Sequence, residues 1–199
     1  MKLDKLTNAV LHQLFIELEA SGRHVHLTKA QAVTLFGAPL TPERPLSQPG
    51  QYLARERVTV RGPKGEFREV AVLGPERKEG QVEISMTDGR VLGLSAPLRL
   101  SGDISGTPGA VLAGPRGTVQ LSQGVIVAKR HIHLTPQAAE HFGVENGQSV
   151  RLRVYTRRPL IFEDVAVRVS PDFANFVHLD YDEANACGFR PGDLGRILP

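Results

Sequence analysis

Seven histidines stand among the 199 residues, and four of them form two His-x-His pairs, His24–His26 and His131–His133. On a β-strand, side chains two apart project from the same face. Each pair therefore sets two imidazoles side by side and aimed one way, which is half of a tetrahedral metal site. One His-x-His alone reads best as a polar strand face. Two copies in a repeat reverse that judgement. Arg23-His24-Val25-His26-Leu27-Thr28 returns as Arg130-His131-Ile132-His133-Leu134-Thr135, a shift of 107, and Phe36-Gly37 returns as Phe142-Gly143, a shift of 106. Each copy reads strand, His-x-His, short helix, glycine stop. An internal duplication follows, with two similar β units and an approximate twofold that brings the pairs near its axis.

A metal needs ligands beyond these four. His178, in NFVHLD, is the best further candidate. It reads equally well as a buried histidine bonded to a carbonyl, and both readings stay open. Glu83, in QVEIS, alternates with Val82 and Ile84, so facing solvent is its usual outcome. Cys187 reads as a small buried hydrophobe. His12 and His141 fall on helix surfaces and are set aside. Two known frames do not fit. A cupin barrel needs a glutamate a few residues after His-x-His, but LTKAQ follows His26, and Glu140 lies too far past His133. A TIM barrel typically needs ~250 residues and eight helices. No P-loop, GxGxxG, GxSxG or HExxH occurs.

The elements that must position these residues are mostly strands. Short alternating runs recur at 58–62, 68–74, 81–86, 125–134, 149–155 and 164–170, with Gly, Pro, Asp and Asn between them. Helices are few. LTKAQAVTLFG and LTPQAAEHFG each read as a short helix, capped by Thr28 or Thr135 and stopped by Gly37 or Gly143. DEANACG at 182–188 reads as a third, and residues 3–14 as an amphipathic first helix with Leu3, Leu6, Val10, Leu11 and Leu14 on one face. The net charge of +3, the pI near 9.2 and the absence of tryptophan do not single out nucleic acid, and none is expected as a partner. A single cysteine excludes an internal disulfide framework. No apolar run approaches the ~20 residues that cross a bilayer. The opening MKLDKLTNAVLHQLF lacks the continuous apolar core of a secretory signal. These features together predict a cytoplasmic protein.

SGRHVHLT, LGPERKEGQVEIS, the P-L-R-x-S-G-D segment at 97–103, AKRHIHLTP and IFEDVAVRVSPDF…HLDYDEANACG together resemble the PduL-type phosphate acyltransferases, or phosphate propanoyltransferases. The match covers roughly residues 15–199, with the segments in family order. The resemblance implies a mainly β fold of two interwoven, small closed β-barrels with short capping helices. The first strand would join the C-terminal part, so that residues 15–22 plus 125–199 form the first barrel and 23–124 the second, after an N-terminal helix at 1–14. It implies an active site between the barrels with two zinc ions. The family's ligands fall on His24, His26, Glu83, His131, His133 and His178, and its phosphate-site arginine falls on Arg77.

The implied reaction moves a short acyl group, acetyl or propanoyl, reversibly between coenzyme A and inorganic phosphate. Acyl-CoA and phosphate are then the small partners. A homodimer is expected, either in the cytoplasm or inside a bacterial microcompartment among shell or lumen proteins. The chain departs from the family pattern in two places. Residues 3–14 run almost directly into the first strand, where many members carry a targeting helix and a linker. TRRPLIF has arginines and a proline where glycines are expected. Arg99, Arg23 and Arg130 are candidates for coenzyme A contacts, although the last two directly precede strand histidines and should point to the opposite face. Two other functions fit the residues: a non-catalytic metal- or ligand-binding β module, and a zinc thioester hydrolase.

Overall fold

The computed structural model describes Leu11 and residues 13–198. Most of the helix expected at 3–14, and all of His12, lie outside the described residues. The first copy of the repeat runs β1 (Ile16–Ser21), β2 (His24–His26), α1 (Lys29–Phe36), β3 (Pro42–Pro45), β4 (Tyr52–Arg61), β5 (Glu66–Gly74), β6 (Gln81–Ile84) and α2 (Met86–Leu92). Three connecting strands follow, β7 (Leu98–Arg99), β8 (Ala110–Ala113) and β9 (Thr118–Leu121). The second copy runs β10 (Val125–Ala128), β11 (His131–Leu134), α3 (Pro136–Phe142), β12 (Ser149–Tyr155), β13 (Leu160–Val169), β14 (Phe176–Asp180) and α4 (Tyr181–Cys187), and β15 (Leu194–Leu198) closes the chain.

Strand pairing repeats as the sequence does. β2 lies parallel to β5 and antiparallel to β6. β11 lies parallel to β13 and antiparallel to β14 in the same way. The first strand of each copy, however, pairs with the other copy: β1 runs parallel to β14, and β10 parallel to β6. The chain accordingly divides into two compact units, one of Gly22–Lys129 and one of the residues up to Ser21 with those from Arg130 onward. The run VIVAKRHIHL, expected as one strand of the first barrel, is two strands in different sheets. Val125–Ala128 pairs with β6 and β7 and so belongs to the Gly22–Lys129 unit. The strand exchange is the reason, since the chain must leave one sheet and enter the other between Ala128 and His131.

In the first unit, β1, β14, β11, β13, β12 and β15 form a closed barrel, with β15 returning to β1. Alternation fills it. Val150, Leu152 and Val154 point inward from β12 while the residues between them are exposed. Ile16, Leu18, Ile132, Leu134, Val177 and Leu179 complete the core. Cys187 joins that cluster as the buried hydrophobe expected of it. Each fully buried Leu or Ile contributes about 1.5–3 kcal/mol. With Ile132 and Val177 turned inward, the pleat turns His131, His133 and His178 to the outer face.

In the second unit the sheet follows the order β7-β10-β6-β2-β5-β4-β8-β9, with β3 added against β4. It ends at β7 and β9, so the closure expected of both sheets is found in the first. Val25, Leu27, Val58, Val72, Val82, Ile84, Leu112 and Val125 pack its core. His24, His26 and Glu83 alternate with Val25, Val82 and Ile84, and so share the other face.

The helices begin and stop where their end residues dictate. Thr28 accepts from Gln31 N to start α1, and Gly37 ends it in the left-handed region at φ 81°. Thr135 with Pro136 starts α3, and Gly143 stops it at φ 65°. Asp180 and Glu183 form the capping box of α4. Helix α2 was not expected, because QVEISM reads as a strand and TDG as a turn. Ser85 ends the strand by capping the helix, its side chain accepting from Asp88 N. Gly89 lowers the helical propensity there, yet a Cβ at that position would come 3.0 Å from the Leu94 carbonyl oxygen.

Candidate metal centres and their arginine

Among the described residues, two groups of three have donor atoms within 4.8 Å of one another: His24, His26 and Glu83, and His131, His133 and His178. The first group is built by register. His24 stands opposite Glu83 across the β2–β6 ladder, and His26 opposite Gln81. The Nε2 atoms of His24 and His26 lie 3.5 and 3.6 Å from the same oxygen, Glu83 Oε1. These separations are long for direct hydrogen bonds. They are near the donor–donor edge of a tetrahedron with zinc bonds of 2.0–2.1 Å, about 3.3 Å.

The groups behind these donors also suit a cation. His24 Nδ1–H donates to the Gly22 carbonyl at 2.8 Å, and His26 Nδ1–H to the Leu73 carbonyl at 3.3 Å. A carbonyl only accepts, so each neutral ring keeps its proton on Nδ1 and turns its Nε2 lone pair toward Glu83. Glu83 Oε1 in turn accepts from Gln81 Nε2 at 2.6 Å and from Ser101 Oγ at 2.8 Å. Arg77, anchored by its N–H to the Leu27 carbonyl, donates from Nη1 to Ser101 Oγ at 2.9 Å.

Charge is shared unequally in this group. Burial opposes the imidazolium of His24, but the nearby Glu83 carboxylate and the Gly22 carbonyl outweigh it and raise the His24 pKa. Burial pulls His26 down to about 4, with the charges of His24 and Arg77 adding to the fall. Burial also opposes the Glu83 carboxylate, yet the two histidines hold it well below the ordinary range. Glu83 thus favours a proton on His24 over one on His26.

The second group repeats the register. His131 stands opposite His178, and His133 opposite Phe176. His178 takes the place of Glu83. His133 Nδ1 faces His178 Nε2 at 3.2 Å, and the rings of His131 and His178 stack at 5.0 Å. Phe173 packs on the His133 ring at 4.1 Å. All three donors here are imidazoles, a set that suits zinc.

Comparison with known proteins shows the family. The profile of the family described as phosphate propanoyltransferase matches residues 17–190. The chain belongs to that family. Phosphate propanoyltransferases from Listeria monocytogenes and Enterococcus faecalis are 53% and 56% identical over 198 and 184 residues. Those matches cover 98% and 92% of this chain and 93% and 87% of the relatives. The phosphate propanoyltransferase of Thermotoga maritima is 53% identical over 181 residues, covering 89% of this chain and 86% of its own.

Of the seven residues that the family resemblance brought forward, the structure gathers His24, His26 and Glu83 in one group and His131, His133 and His178 in the other. It sets Arg77 next to the first, through Ser101. Glu83 points to the histidines and not to solvent, and is 6% exposed. His178 lies among imidazoles. His141 lies apart and bonds the Gln13 carbonyl.

The candidate coenzyme A arginines fare differently. Arg23 pairs with Asp88 at 2.6 Å and lies over the Phe67 ring at 4.1 Å. Arg130 pairs with Glu183 at 2.6 Å and lies over the Phe162 ring at 5.6 Å. Both acids are third residues of the helices that follow β6 and β14. The two arginines are thus equivalent struts in the two copies. Arg99 is half exposed beside Asp103.

Sequence reasoning missed Gln81 and Ser101. Gln81 had a signal, since it sits two before Glu83 on a strand and shares its face. Ser101 comes from a loop after β7, and no periodicity points to it.

Proposed function

We propose that this chain is a phosphate acyltransferase that moves a short acyl group between coenzyme A and inorganic phosphate, with one zinc ion at each histidine group. The observation that carries this reading is the ligand count. Each group offers three donors, and zinc with three protein ligands keeps a fourth position for water or substrate, as catalytic sites do and structural ones do not. Family membership supplies the reaction, and the names of the relatives favour propanoyl. Among the described helices none is long and apolar enough to cross a membrane.

The chain's own work is placement. Arg77 presents a planar fork to two oxygens of phosphate. Ser101 holds one prong of that fork, and Gln81 and Ser101 fix the carboxylate that faces His24 and His26. Zinc, when bound, supplies positive charge that offsets repulsion between phosphate and coenzyme A and polarises the thioester carbonyl. Held in near-attack geometry, a phosphate oxygen forms the new bond to the carbonyl carbon. The C–S bond breaks, and coenzyme A leaves as its thiolate. No acyl-enzyme is needed, and Cys187, buried in the barrel core, is not placed to form one.

Release of coenzyme A from acetyl-CoA and propanoyl-CoA, with phosphate omitted and then added, tests the reading. Phosphate-dependent release is expected, with arsenate substituting to give net hydrolysis. Equal release without phosphate makes the chain a thioesterase, and no release with metal bound makes it a binding module. The resemblance also carries a homodimer and a microcompartment location into the proposal. Sedimentation and co-purification with shell proteins test those two.

A further inference from the structure

The two units place their histidine groups on equivalent rows of strands, and the third member of each row differs. In the second unit the row across β10, β6 and β2 is Ile126, Glu83 and His24. In the first unit the row across β1, β14 and β11 is Glu19, His178 and His131. Neighbours in register lie on one face of a sheet. Each row therefore carries a single carboxylate, but at different places. In the second unit it stands among the candidate ligands. In the first it stands one strand further out, on β1, the strand supplied by the other copy of the repeat.

Glu19 is positioned to act from there. Its Oε2 lies 3.4 Å from His178 Nδ1, while His178 Nε2, across the ring, faces His133 Nδ1 at 3.2 Å. A carboxylate only accepts, so from this distance its charge favours the tautomer with the proton on Nδ1 and the Nε2 lone pair facing the other imidazoles. Carbonyls do the same for His24 and His26 in the other unit, but they carry no charge. Three neutral imidazoles leave the two charges of a zinc ion unopposed, where Glu83 offsets one of them in the second unit. A carboxylate behind His178 restores that balance and raises the basicity of the ring.

We infer that Glu19 is a positioning residue for a divalent cation at the His131–His133–His178 group, holding His178 through Nδ1 so that Nε2 faces the ion. This rests on the zinc reading proposed above. The test is a chelator-competition titration of zinc on the full-length wild type, Glu19→Gln, Glu19→Ala and Glu17→Gln, with cobalt(II) absorption spectra of the same set. Glu17 shares β1 and stands in register with Phe176, so its variant controls for a change on that strand.

Wild type and Glu17→Gln should hold two zinc ions tightly. Glu19→Ala should keep one at unchanged affinity and bind the other about 10- to 100-fold more weakly. Glu19→Gln, which keeps an acceptor without the charge, should fall between. The cobalt bands of one site alone should shift in Glu19→Ala. Two unchanged affinities and unchanged bands in Glu19→Ala overturn the inference and leave the zinc reading standing. Equal weakening at both sites, with a lower melting temperature of the metal-free protein, also overturns it, because Glu19 would then only hold β1 in the barrel. A wild type that takes up no divalent ion overturns the zinc reading and this inference together.

Discussion

The two histidine groups share one origin and one register, but they differ in chemistry. Both hang on a short strand that ends in a capped helix, and both complete themselves from the antiparallel neighbour, β6 or β14. In one the neighbour supplies Glu83 and in the other His178. The group with the carboxylate also gathers Gln81, Ser101 and Arg77 into one hydrogen-bond network. The all-histidine group gathers Phe173 instead. A duplicated scaffold has thus kept the geometry of two cation sites while dividing the work around them. Under the proposed function, phosphate would be held by the second unit, where Arg77 and Ser101 lie.

The strongest way to break this comparison is to remove one imidazole from each side. His24→Ala and His131→Ala should each abolish turnover, because each leaves two donors where three stood. Circular dichroism should stay close to wild type, since the two cores are built from Val, Leu and Ile on the opposite faces. An unfolded variant would make that site a structural one. Next in size is Arg77→Lys. Lysine keeps the charge and loses the fork, at about 1.5–3 kcal/mol for a charged hydrogen bond, or roughly 10- to 100-fold in the KM for phosphate. The KM for acyl-CoA should move much less. Equal change in both would take Arg77 out of phosphate binding.

Much of this scaffold could be seen in the sequence, for reasons that single residues explain. The His-x-His pairs, Thr28 and Thr135, and Gly37 and Gly143 repeat because strand, cap and stop are local devices. The match of Glu83 to His178 could not be seen that way. The first copy carries an extra strand, β3, between α1 and β4, and the offset between the copies changes after it. The resemblance gave the transfer of β1, but the placement of β10 was hidden for a different reason. Pairing partners are chosen by long-range register, and VIVAKRHIHL holds no glycine or proline to mark the break between its two strands. Ser101 acts from a loop, where neither period applies. Nothing in the sequence singles out Glu19, because its equivalent in the other copy is Ile126 and the repeat therefore gives it no partner signal.

A smaller effect sharpens the contrast in charge. Glu83 raises the His24 pKa, whereas zinc binds the neutral ring. A proton on His24 therefore competes with zinc, and affinity there should fall as pH drops through the raised His24 pKa. His26, at about 4, competes only in stronger acid. Calorimetry of zinc binding in two buffers of different ionisation enthalpy measures the protons released. Glu83→Gln should reduce that release at a given pH, since an amide does not raise the His24 pKa. Release that does not change in Glu83→Gln would remove the ion pair from the account.

The smallest expected effect concerns the arginines beside the histidines. Arg23 and Arg130 point away from the metal faces and tie the helices after β6 and β14 to their sheets. Arg23→Ala and Arg130→Ala should therefore lower stability and leave the KM for acyl-CoA unchanged. Each arginine is partly exposed, at 36% and 24%, so the cost is modest, about 1–2 kcal/mol, most of it from the acid left buried. The two should then part company in acid. Burial already pushes the Glu183 carboxyl up, against the pull of Arg130. A carboxyl whose folded pKa is raised holds its proton more tightly in the folded chain, so stability falls as pH rises from the unfolded to the folded pKa. Without Arg130 that pKa rises further and the fall is deeper. The deficit of Arg130→Ala should thus be largest near neutral pH and shrink below the ordinary carboxyl range, where Glu183 is protonated in both proteins. Urea melts at pH 7 and pH 4 measure it. A deficit independent of pH would assign the loss to the stacking of Arg130 on Phe162, and a raised KM for acyl-CoA would return the arginine to the substrate.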